Sequence, residues 1–237
     1  MILTRVIPTV EQPLDQDAPD FRDRLADLYR PGAADWVRLN LIGSVSGSAT
    51  GPDGTSETLT NPVDRAILGV IRSLADVVVV GAASIRAEGY FVPRNGALAI
   101  VSRSGDFANH QIKGTDQHGT LIILCPAAAV ETARASIGMP EVTIIAVPDV
   151  DGSLTAPAIV TALRDADYRS IVVEGGPALA TLFVMDDAVD ELCLTTSPVL
   201  NGGAMPLFGA HEFADRPLTL TQLLVDGGGA TYARWTL

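Results

Sequence analysis

Four short runs of apolar, mostly β-branched residues set the strongest limit on how this chain can fold. They lie at residues 77–80, 98–101, 121–124 and 170–173, and segments with helical character separate them. A strand that is apolar on both faces must be covered on both faces, which is typical of parallel strands joined by helices. The pattern therefore predicts an α/β fold with a mixed, mostly parallel central sheet that is flanked by helices.

The remaining segments complete this outline. Asn61 is a suitable N-cap for a helix from Pro62 to about residue 74. Further helices are predicted at 127–136, 155–167 and 178–183, with strands at 36–42 and 142–147. Strands are also predicted at 189–196, 218–225 and 231–237, and because no long helix separates them we expect antiparallel pairing among the C-terminal strands.

The first 34 residues differ from the rest, because several prolines interrupt an acidic stretch. Within them, residues 20–30 are typical of a short amphipathic helix with Phe21, Leu25 and Leu28 on one face. We predict an N-terminal arm over residues 1–34, which packs on the domain or on a partner subunit, and one domain over residues 35–237.

Composition excludes several classes of function. The chain has 237 residues, of which 47% are hydrophobic and 19% charged, so it has the material for a core. A formal net charge of -12 argues against nucleic-acid partners and against an anionic membrane. No apolar run approaches the roughly 18 residues of a spanning helix, and the N-terminus does not begin like a signal peptide. We expect a cytoplasmic protein whose Cys125 and Cys193 are separate buried thiols.

Several familiar catalytic patterns do not occur in the sequence. It contains no GxGxxG fingerprint, no P-loop and no GxSxG elbow, which argues against a standard Rossmann site, an NTPase and a serine hydrolase. His110, His118 and His211 have no second His or Cys at the spacing of metal ligands, so we predict no metal site.

The most informative strand end is Glu174-Gly175-Gly176-Pro177, which follows the apolar run at 170–173. Two glycines let another molecule approach the backbone, because no Cβ stands in the way. Pro177 suits the first position of a helix, and the free N–H groups of a helix start favour anions. This junction therefore predicts a site for a nucleotide phosphate.

Two other strand ends carry the same kind of signal. Residues 81–86 place a glycine before a short helical turn that contains Arg86, and Ser102-Arg103-Ser104 combines hydroxyls with a guanidinium. The second combination suits a phosphate monoester such as the 2′-phosphate of NADP. Ligands of open α/β sheets bind beyond the carboxyl ends of the strands. One Gly-Gly turn alone is as often steric as functional, but three such ends favour a dinucleotide.

The first predicted strand and the loop after it complete the set of candidate residues. Asn40 is a polar residue in an apolar strand, so it faces either solvent or a cleft. Residues 44–49 are rich in serine and resemble a loop that bends over a ligand, although a plain flexible turn is the better explanation of this loop taken on its own.

Together these residues resemble the riboflavin-biosynthesis pyrimidine reductase family, which has a dihydrofolate reductase-like fold. The resemblance covers roughly residues 36–237, and its segments occur in the order that the family has. These segments are residues 40–47, 60–62, 81–88, 101–103, 174–177, 189–192 and 197–203.

The resemblance implies an NADPH-dependent reduction of 5-amino-6-(5-phosphoribosylamino)uracil, in which hydride passes from the nicotinamide to the ribosyl C1′ and gives the ribitylamino product. The implied NADPH-binding residues are Ala49, Thr60, Gly81, Ala82, Ala83, Ser84, Arg86, Ser102, Arg103, Glu174, Gly175, Gly176, Pro177 and Leu179. The implied substrate-binding residues are Asn40, Ser46, Glu88 and Glu174, and Asn40, Ser46 and Glu174 are the implied catalytic residues. The family pairs through late strands, so we expect a homodimer that uses the apolar segment 192–200.

The chain departs from the family pattern at two positions of the substrate half. The family commonly has Lys where Asn40 stands and Asp where Ser46 stands. Two alternatives therefore stay open: a pterin or dihydrofolate-type reductase of the same fold, and an NADP-binding protein with lost or altered turnover. The zinc-deaminase half that is often fused in front would bring His-x-Glu and Pro-Cys-x-x-Cys motifs. Neither occurs here, so we expect a reductase only.

Overall fold

The structure is a computed structural model that describes residues 1–8, 13–93, 96–113, 119–139, 141–202, 205–210 and 212–237. His118, His211 and Gly203, which the sequence analysis considered, lie outside the described residues.

The described helices are α1 (Phe21–Tyr29), α2 (Pro62–Ser73), α3 (Ala82–Ala87), α4 (Val130–Ile137), α5 (Ala156–Asp165) and α6 (Pro177–Met185), with a 3-10 turn at Ala127–Ala129 before α4. The first strands are β1 (Ile2–Ile7), β2 (Leu14–Asp15), β3 (Trp36–Ser44), β4 (Val77–Gly81), β5 (Tyr90–Phe91), β6 (Ala97–Val101), β7 (Ile112–Lys113) and β8 (Thr120–Cys125). The others are β9 (Val142–Ala146), β10 (Asp149–Val150), β11 (Ser153–Leu154), β12 (Ser170–Val173), β13 (Glu191–Ser197), β14 (Thr219–Asp226) and β15 (Thr231–Thr236).

One 11-stranded sheet runs through the molecule in the order β2-β1-β14-β15-β13-β3-β12-β4-β6-β8-β9. From β13 through β3, β12, β4, β6 and β8 to β9, adjacent strands are parallel. On the other side of β13, adjacent strands are antiparallel, from β13 through β15, β14 and β1 to β2. The predicted fold class is confirmed as an α/β fold with a mixed, mostly parallel sheet and antiparallel C-terminal strands.

Alternate residues of the central strands enter cores on opposite faces of the sheet. Val77 and Val79 pack with α5 and α6, whereas Val78 and Val80 pack on the side of α3 and α4. Burying each such side chain contributes about 1.5–3 kcal/mol. This two-sided burial is the physical reason for the apolar runs in the sequence.

The N-terminal residues join the same sheet and core. Helix α1 forms at Phe21–Tyr29, which confirms the helix expected at 20–30. Leu25 and Tyr29 are buried in a core that also contains side chains of α2. The sequence analysis missed β1, which pairs antiparallel with β14 near the other end of the chain.

The expected dimer segment at 192–200 stays a prediction, but the structure excludes pairing of a second subunit with the edge of its strand. Strand β13 lies between β3 and β15, and Leu192 is 7% exposed. Only the end of the segment offers a large apolar side chain, since Leu200 is 82% exposed. A strand with neighbours on both sides has no free edge for a second subunit.

Both cysteines are free and buried, as predicted. Within the part of the chain that the structure describes, none of the helices combines the length and the apolar character that crossing a bilayer requires.

Candidate active site

The strands that carry the candidate residues end at one edge of the sheet. Because β3, β12, β4, β6 and β13 are parallel, their carboxyl ends bring the loops after them together. A cleft at this edge is where the sequence analysis expects a dinucleotide.

A glycine turn, Gly175-Gly176, connects β12 to α6 and is hydrogen-bonded to β4. The Gly81 N–H donates to the Gly175 carbonyl oxygen at 2.8 Å, and the Glu174 N–H donates to the Val79 carbonyl oxygen at 2.9 Å. The Gly175–Gly176 peptide is cis, and Gly175 has a φ of 89° that other residues rarely adopt. This positive φ explains why a glycine stands at position 175.

Ser84 and Leu179 lie against this turn. A Cβ atom built on Gly176 would stand 3.1 Å from the Ser84 Oγ, and one on Gly81 would stand 3.9 Å from the Leu179 Cβ. The structure therefore brings Gly81, Ser84, Leu179 and the glycine turn together. Backbone without Cβ atoms beside the start of α6 fits the phosphates of a dinucleotide.

The other expected cofactor residues of this region are placed around the turn. Pro177 is the first residue of α6, and α3 starts with Ala82, which is buried, and Ala83, which is exposed. They are therefore neighbours of the glycine turn, as the sequence analysis expected.

At the end of β6 the structure differs from the expectation for Ser102. This side chain is buried, and its hydroxyl oxygen accepts a hydrogen bond from the Gly105 N–H at 3.0 Å, so it stabilises the turn. Arg86 donates to the Asp106 carbonyl oxygen at 3.2 Å and holds the same loop. Arg103 and Ser104 are exposed and are the groups of this loop that can reach a phosphate.

Glu174 forms a bidentate ion pair with Arg72 of α2. Both N···O distances, from the Arg72 Nε and Nη2 atoms to the two carboxylate oxygens, are 2.7 Å. The Glu174 side chain is 5% exposed and that of Arg72 is 35% exposed. A carboxylate whose two oxygens are both engaged is poorly suited to proton transfer, so the geometry favours a positioning role over the expected catalytic one.

Tyr90 lies under the Arg72 guanidinium, whose central carbon is 5.9 Å from the ring centroid. Burial, followed by the charges of Glu174 and Glu88, raises the pKa of the Tyr90 hydroxyl well above its ordinary value. Burial alone would lower the pKa of Arg72. The charge and the hydrogen bonds of Glu174 raise this pKa by more than burial lowers it, so the pKa of Arg72 lies above its ordinary value. Arg72 therefore stays charged and Tyr90 stays protonated.

The sequence analysis missed Arg72 and Tyr90. Arg72 stands in the last turn of α2, where a basic residue is also explained by the helix dipole. No signal in the sequence indicated that this turn faces Glu174.

Asn40 shares a face of the sheet with Glu174. Leu39 pairs with Val173 in the parallel register, so the next residues on these adjacent strands, Asn40 and Glu174, lie side by side. Asn40 is half-buried on the side that α2 covers. The structure thus brings these two expected substrate residues together.

Ser46 is hydrogen-bonded to the loop after β13. Its hydroxyl lies 2.6 Å from the Asn201 carbonyl oxygen and 2.9 Å from the Ser44 Oγ. The Asn201 side chain in turn donates to the Thr50 carbonyl oxygen at 3.0 Å. Asn201 belongs to the segment 197–203 that the sequence analysis singled out, but the sequence alone did not indicate this contact.

Ala49 is fixed by the same pair of loops. Its N–H donates to the Met205 carbonyl oxygen at 2.8 Å. A contact from Ala49 to a nicotinamide would therefore use its carbonyl oxygen or its methyl group.

Glu88 and Thr60 stabilise the segment that leads into α2. The Glu88 Oε1 accepts from the Ser56 N–H at 2.7 Å and from the Ser56 hydroxyl at 3.0 Å. The Thr60 hydroxyl donates to Asp64 at 2.6 Å, and burial raises the pKa of Asp64. Both expected site residues thus have structural partners of their own.

No cluster suited to a metal ion occurs in the described part of the chain, where no group of three or more His, Cys, Asp or Glu side chains is suitably placed.

Solved structures share this fold. A pyrimidine reductase-like protein from Corynebacterium diphtheriae has a TM-score of 0.66 at 23% identity, over 94% of this chain and 96% of that one. A diaminohydroxyphosphoribosylaminopyrimidine deaminase/5-amino-6-(5-phosphoribosylamino)uracil reductase from Thermotoga maritima has a TM-score of 0.69 at 18% identity, over 89% of this chain and 57% of that one. The riboflavin biosynthesis reductase Rib7 of Saccharomyces cerevisiae has a TM-score of 0.63 at 16% identity, over 92% of this chain and 99% of that one.

No curated protein matches the chain significantly in sequence. The family model described as the RibD C-terminal domain matches residues 35–232, which is most of the chain. The family resemblance that the sequence analysis drew is thereby confirmed. The chain belongs to the RibD C-terminal domain family.

Proposed function

We propose that this protein is an NADPH-dependent reductase that converts 5-amino-6-(5-phosphoribosylamino)uracil to its ribitylamino product. The observation that carries the proposal is the glycine turn, Gly175-Gly176, hydrogen-bonded to Gly81 and packed against Ser84 at the carboxyl edge of the sheet. The Thermotoga maritima protein, which is named as a 5-amino-6-(5-phosphoribosylamino)uracil reductase, and the Saccharomyces cerevisiae protein, which is named as a riboflavin biosynthesis reductase, support the choice of reaction.

The glycine turn and the start of α6 would hold the phosphates of NADPH, and Arg103 would contact the 2′-phosphate. When bound, NADPH supplies the hydride. The protein's part in the reaction is to place the two reactants against each other and to exclude water.

On the other side of the cleft, Asn40 would offer the pyrimidine both a donor and an acceptor. Arg72, held by Glu174 and by the Tyr90 ring, would present a fixed positive charge to an anionic substrate group. Glu174 would act as a positioning residue for Arg72. Ser46 would act through its hydrogen bonds to Asn201, which fix the loop after β3.

The test has two steps. Titration with NADPH, followed by quenching of protein fluorescence, should give saturable binding at micromolar concentration. The loss of NADPH absorbance is then followed with the phosphoribosylamino-pyrimidine and, separately, with dihydrofolate. Turnover with the first substrate alone supports the proposal, and turnover with dihydrofolate alone supports a pterin-type reductase. Tight NADPH binding without turnover on either substrate would identify an NADP-binding protein that has lost the reaction.

We also propose that the protein acts as a homodimer in the cytoplasm. Sedimentation equilibrium of the full chain should give twice the 24.8 kDa mass of one subunit. A single-subunit mass at micromolar concentration would contradict the proposal.

A further inference from the structure

Five strands contribute polar side chains to one row on the face that α1 covers. This polar row consists of Arg5 on β1, Gln222 on β14, Arg234 on β15, Glu191 on β13 and Arg38 on β3. Gln222 is directly opposite Arg234 in the sheet register, and Glu191 is directly opposite Arg38. Arg38 precedes Asn40 on the same face of β3 by two residues, so this end of the row lies about 7 Å along the strand from the nearest residue assigned to the reductase cleft.

The centre of the polar row has its hydrogen bonds within the protein. Glu191 accepts from both Arg38 and Arg234, with an N···O distance of 2.7 Å from the Arg234 Nε. Arg38 also donates to the Tyr29 carbonyl oxygen at 2.7 Å, and Arg234 donates to that of Leu28. One carboxylate thus serves two guanidinium groups, which leaves an excess of positive charge.

The other end of the row lacks acceptors. Among the residues that the structure describes, the Arg5 Nε and the Gln222 Nε2 are buried donors without a hydrogen-bond partner. Gln222 as a whole is 2% exposed. Buried donors are nearly always paired, so two neighbouring exceptions indicate that an acceptor from outside the chain belongs here.

The backbone around these two donors is irregular. The pairing register shifts between Leu220 and Gln222 on β14, and again between Arg5 and Ile7 on β1. Bulges of this kind redirect side chains and occur beside sites more often than elsewhere. Both irregularities thus lie next to the unpaired donors.

A cavity of about 510 Å³ adjoins these donors, and Arg5, Gln222, Arg234, Glu191 and Trp36 are among its lining residues. This volume falls in the range of small-molecule sites. Trp36 adds an aromatic wall. The lining carboxylate besides Glu191 is Asp27, which is exposed and paired with Arg30 at 2.6 Å.

We propose that this cavity is a second binding site, for a small organic anion whose carboxylate or phosphate accepts hydrogen bonds from Arg5 and Gln222. The guanidinium groups of Arg5 and Arg234, which line the cavity, attract the negative charge, and Trp36 contacts the body of the molecule. None of the residues that line this cavity is assigned to the reductase cleft, so the existence of the site does not rest on the proposed reaction.

The test is calorimetric titration of the full chain with citrate and, separately, with inorganic phosphate, at constant ionic strength set with chloride. The variants are Gln222→Leu and Arg5→Met, and Gly176→Ala is a control for anion binding in the reductase cleft. At least one of the two anions should bind saturably to the wild type and to the control, and at least tenfold more weakly to both cavity variants. If the natural ligand binds through a carboxylate, citrate alone should bind. If it binds through a phosphate, inorganic phosphate should bind.

Thermal unfolding without added anion gives a second readout. Because the Gln222 Nε2 has no hydrogen-bond partner among the described residues, Gln222→Leu should unfold at the same temperature as the wild type or higher. The proposal is overturned if neither anion binds, if the cavity variants bind as well as the wild type, or if Gln222→Leu lowers the unfolding temperature, which would indicate a structural role for the amide.

Discussion

A single methyl group at Gly176 would stand 3.1 Å from the Ser84 hydroxyl oxygen, at the surface where we expect phosphate to bind. Gly176→Ala should therefore weaken NADPH binding roughly tenfold or more, which corresponds to about 1.4 kcal/mol. Fluorescence titration measures this change. The matched control is Gly227→Ala, because a Cβ there meets no atom within 4 Å. Equal affinity in the two variants would remove the glycine turn from the cofactor site.

Arg103 is the exposed guanidinium at the end of β6. If it contacts the 2′-phosphate, Arg103→Ala should weaken NADPH binding about tenfold, since a hydrogen bond to a charged group contributes about 1.5–3 kcal/mol. NADH lacks that phosphate, so its binding should not change. Arg134→Ala, at an exposed position on α4, is the control. A parallel loss for both nucleotides would show that Arg103 does not select NADPH.

At this scale the sequence indicated which glycines lie together better than it indicated the partners of the polar residues. Gly81, Gly175 and Gly176 could be found because a missing side chain at a strand end has few explanations. Ser102 could not be judged, because its role depends on a turn in which Gly105 folds back to donate to it. Glu174 was found, but its partner Arg72 lies 102 residues away and only the fold brings them together.

Between elements, the Arg72–Glu174 pair connects α2 to the end of β12. Arg72→Met leaves the Glu174 carboxylate, 5% exposed, without its cation. Because Arg72 itself is partly exposed, we expect a loss of about 2–3 kcal/mol in the free energy of unfolding, below the figure for fully buried pairs. Urea unfolding gives the value.

The matched control for this variant is Arg65→Met, on the same helix. Arg65 pairs with Glu57 at the surface, where both side chains are more than half exposed. Exposed pairs contribute about 0–1 kcal/mol, so this variant should change stability little. If both variants lost the same free energy of unfolding, the Arg72–Glu174 pair would contribute no more to stability than the exposed Arg65–Glu57 pair.

Asp64, in the first turn of α2, gives stability a pH dependence. Burial raises its pKa, and hydrogen bonds from Thr60 and Thr195 offset part of this shift. The folded state therefore binds a proton more tightly than the unfolded state, so this carboxyl lowers stability as pH rises above 3.8, the ordinary pKa of an aspartate.

Asp64→Asn removes this ionisation and keeps an oxygen that can accept from Thr60. We expect its stability, relative to the wild type, to increase as pH rises from about 4 to neutrality. Urea unfolding at several pH values tests this. The prediction would be contradicted if the stability of Asp64→Asn relative to the wild type stayed constant with pH or decreased toward neutrality.

Helices and strands with strong local patterns were predictable, and the pairing of distant strands was not. Helix α2 was expected from Asn61 and Pro62 to about residue 74 and is observed at Pro62–Ser73, because its cap and its apolar face are local features. Strand β1 was missed, because it is defined by pairing with β14, which comes more than 200 residues later. The parallel pairing of β13 with β3 likewise had no local signal.

Across the whole molecule, one continuous sheet should make unfolding cooperative. Cys125 lies in the core under α4, and Cys193 lies in the core under α1 and α2, at opposite parts of this sheet. Burial, and then the charge of Glu191, raises the pKa of Cys193 to about 12, and burial raises that of Cys125. Both thiols should therefore be unreactive in the native protein.

Ellman's reagent measures this directly. The native protein at neutral pH should show no rapidly reacting thiol. Both cysteines should become reactive together at the same urea concentration, because one sheet connects the two cores. Labelling of one cysteine well before the other, resolved with Cys125→Ala and Cys193→Ala, would show that the two parts unfold separately.

The fold class could be predicted because the apolar runs require a covered parallel sheet. The polar row could not, since its five residues come from five strands and each looks like an ordinary surface residue in the sequence.

The last strand of the sheet, β9 at Val142–Ala146, has consequences for aggregation. Its β-branched sequence and its place at the end of the sheet are the features that promote pairing between separate chains during folding. In the sequence, Pro140 and Glu141 precede this strand and Pro148 follows it. Prolines donate no backbone hydrogen bond and like charges repel, so these flanking residues act as gatekeepers that limit intermolecular growth to a five-residue segment.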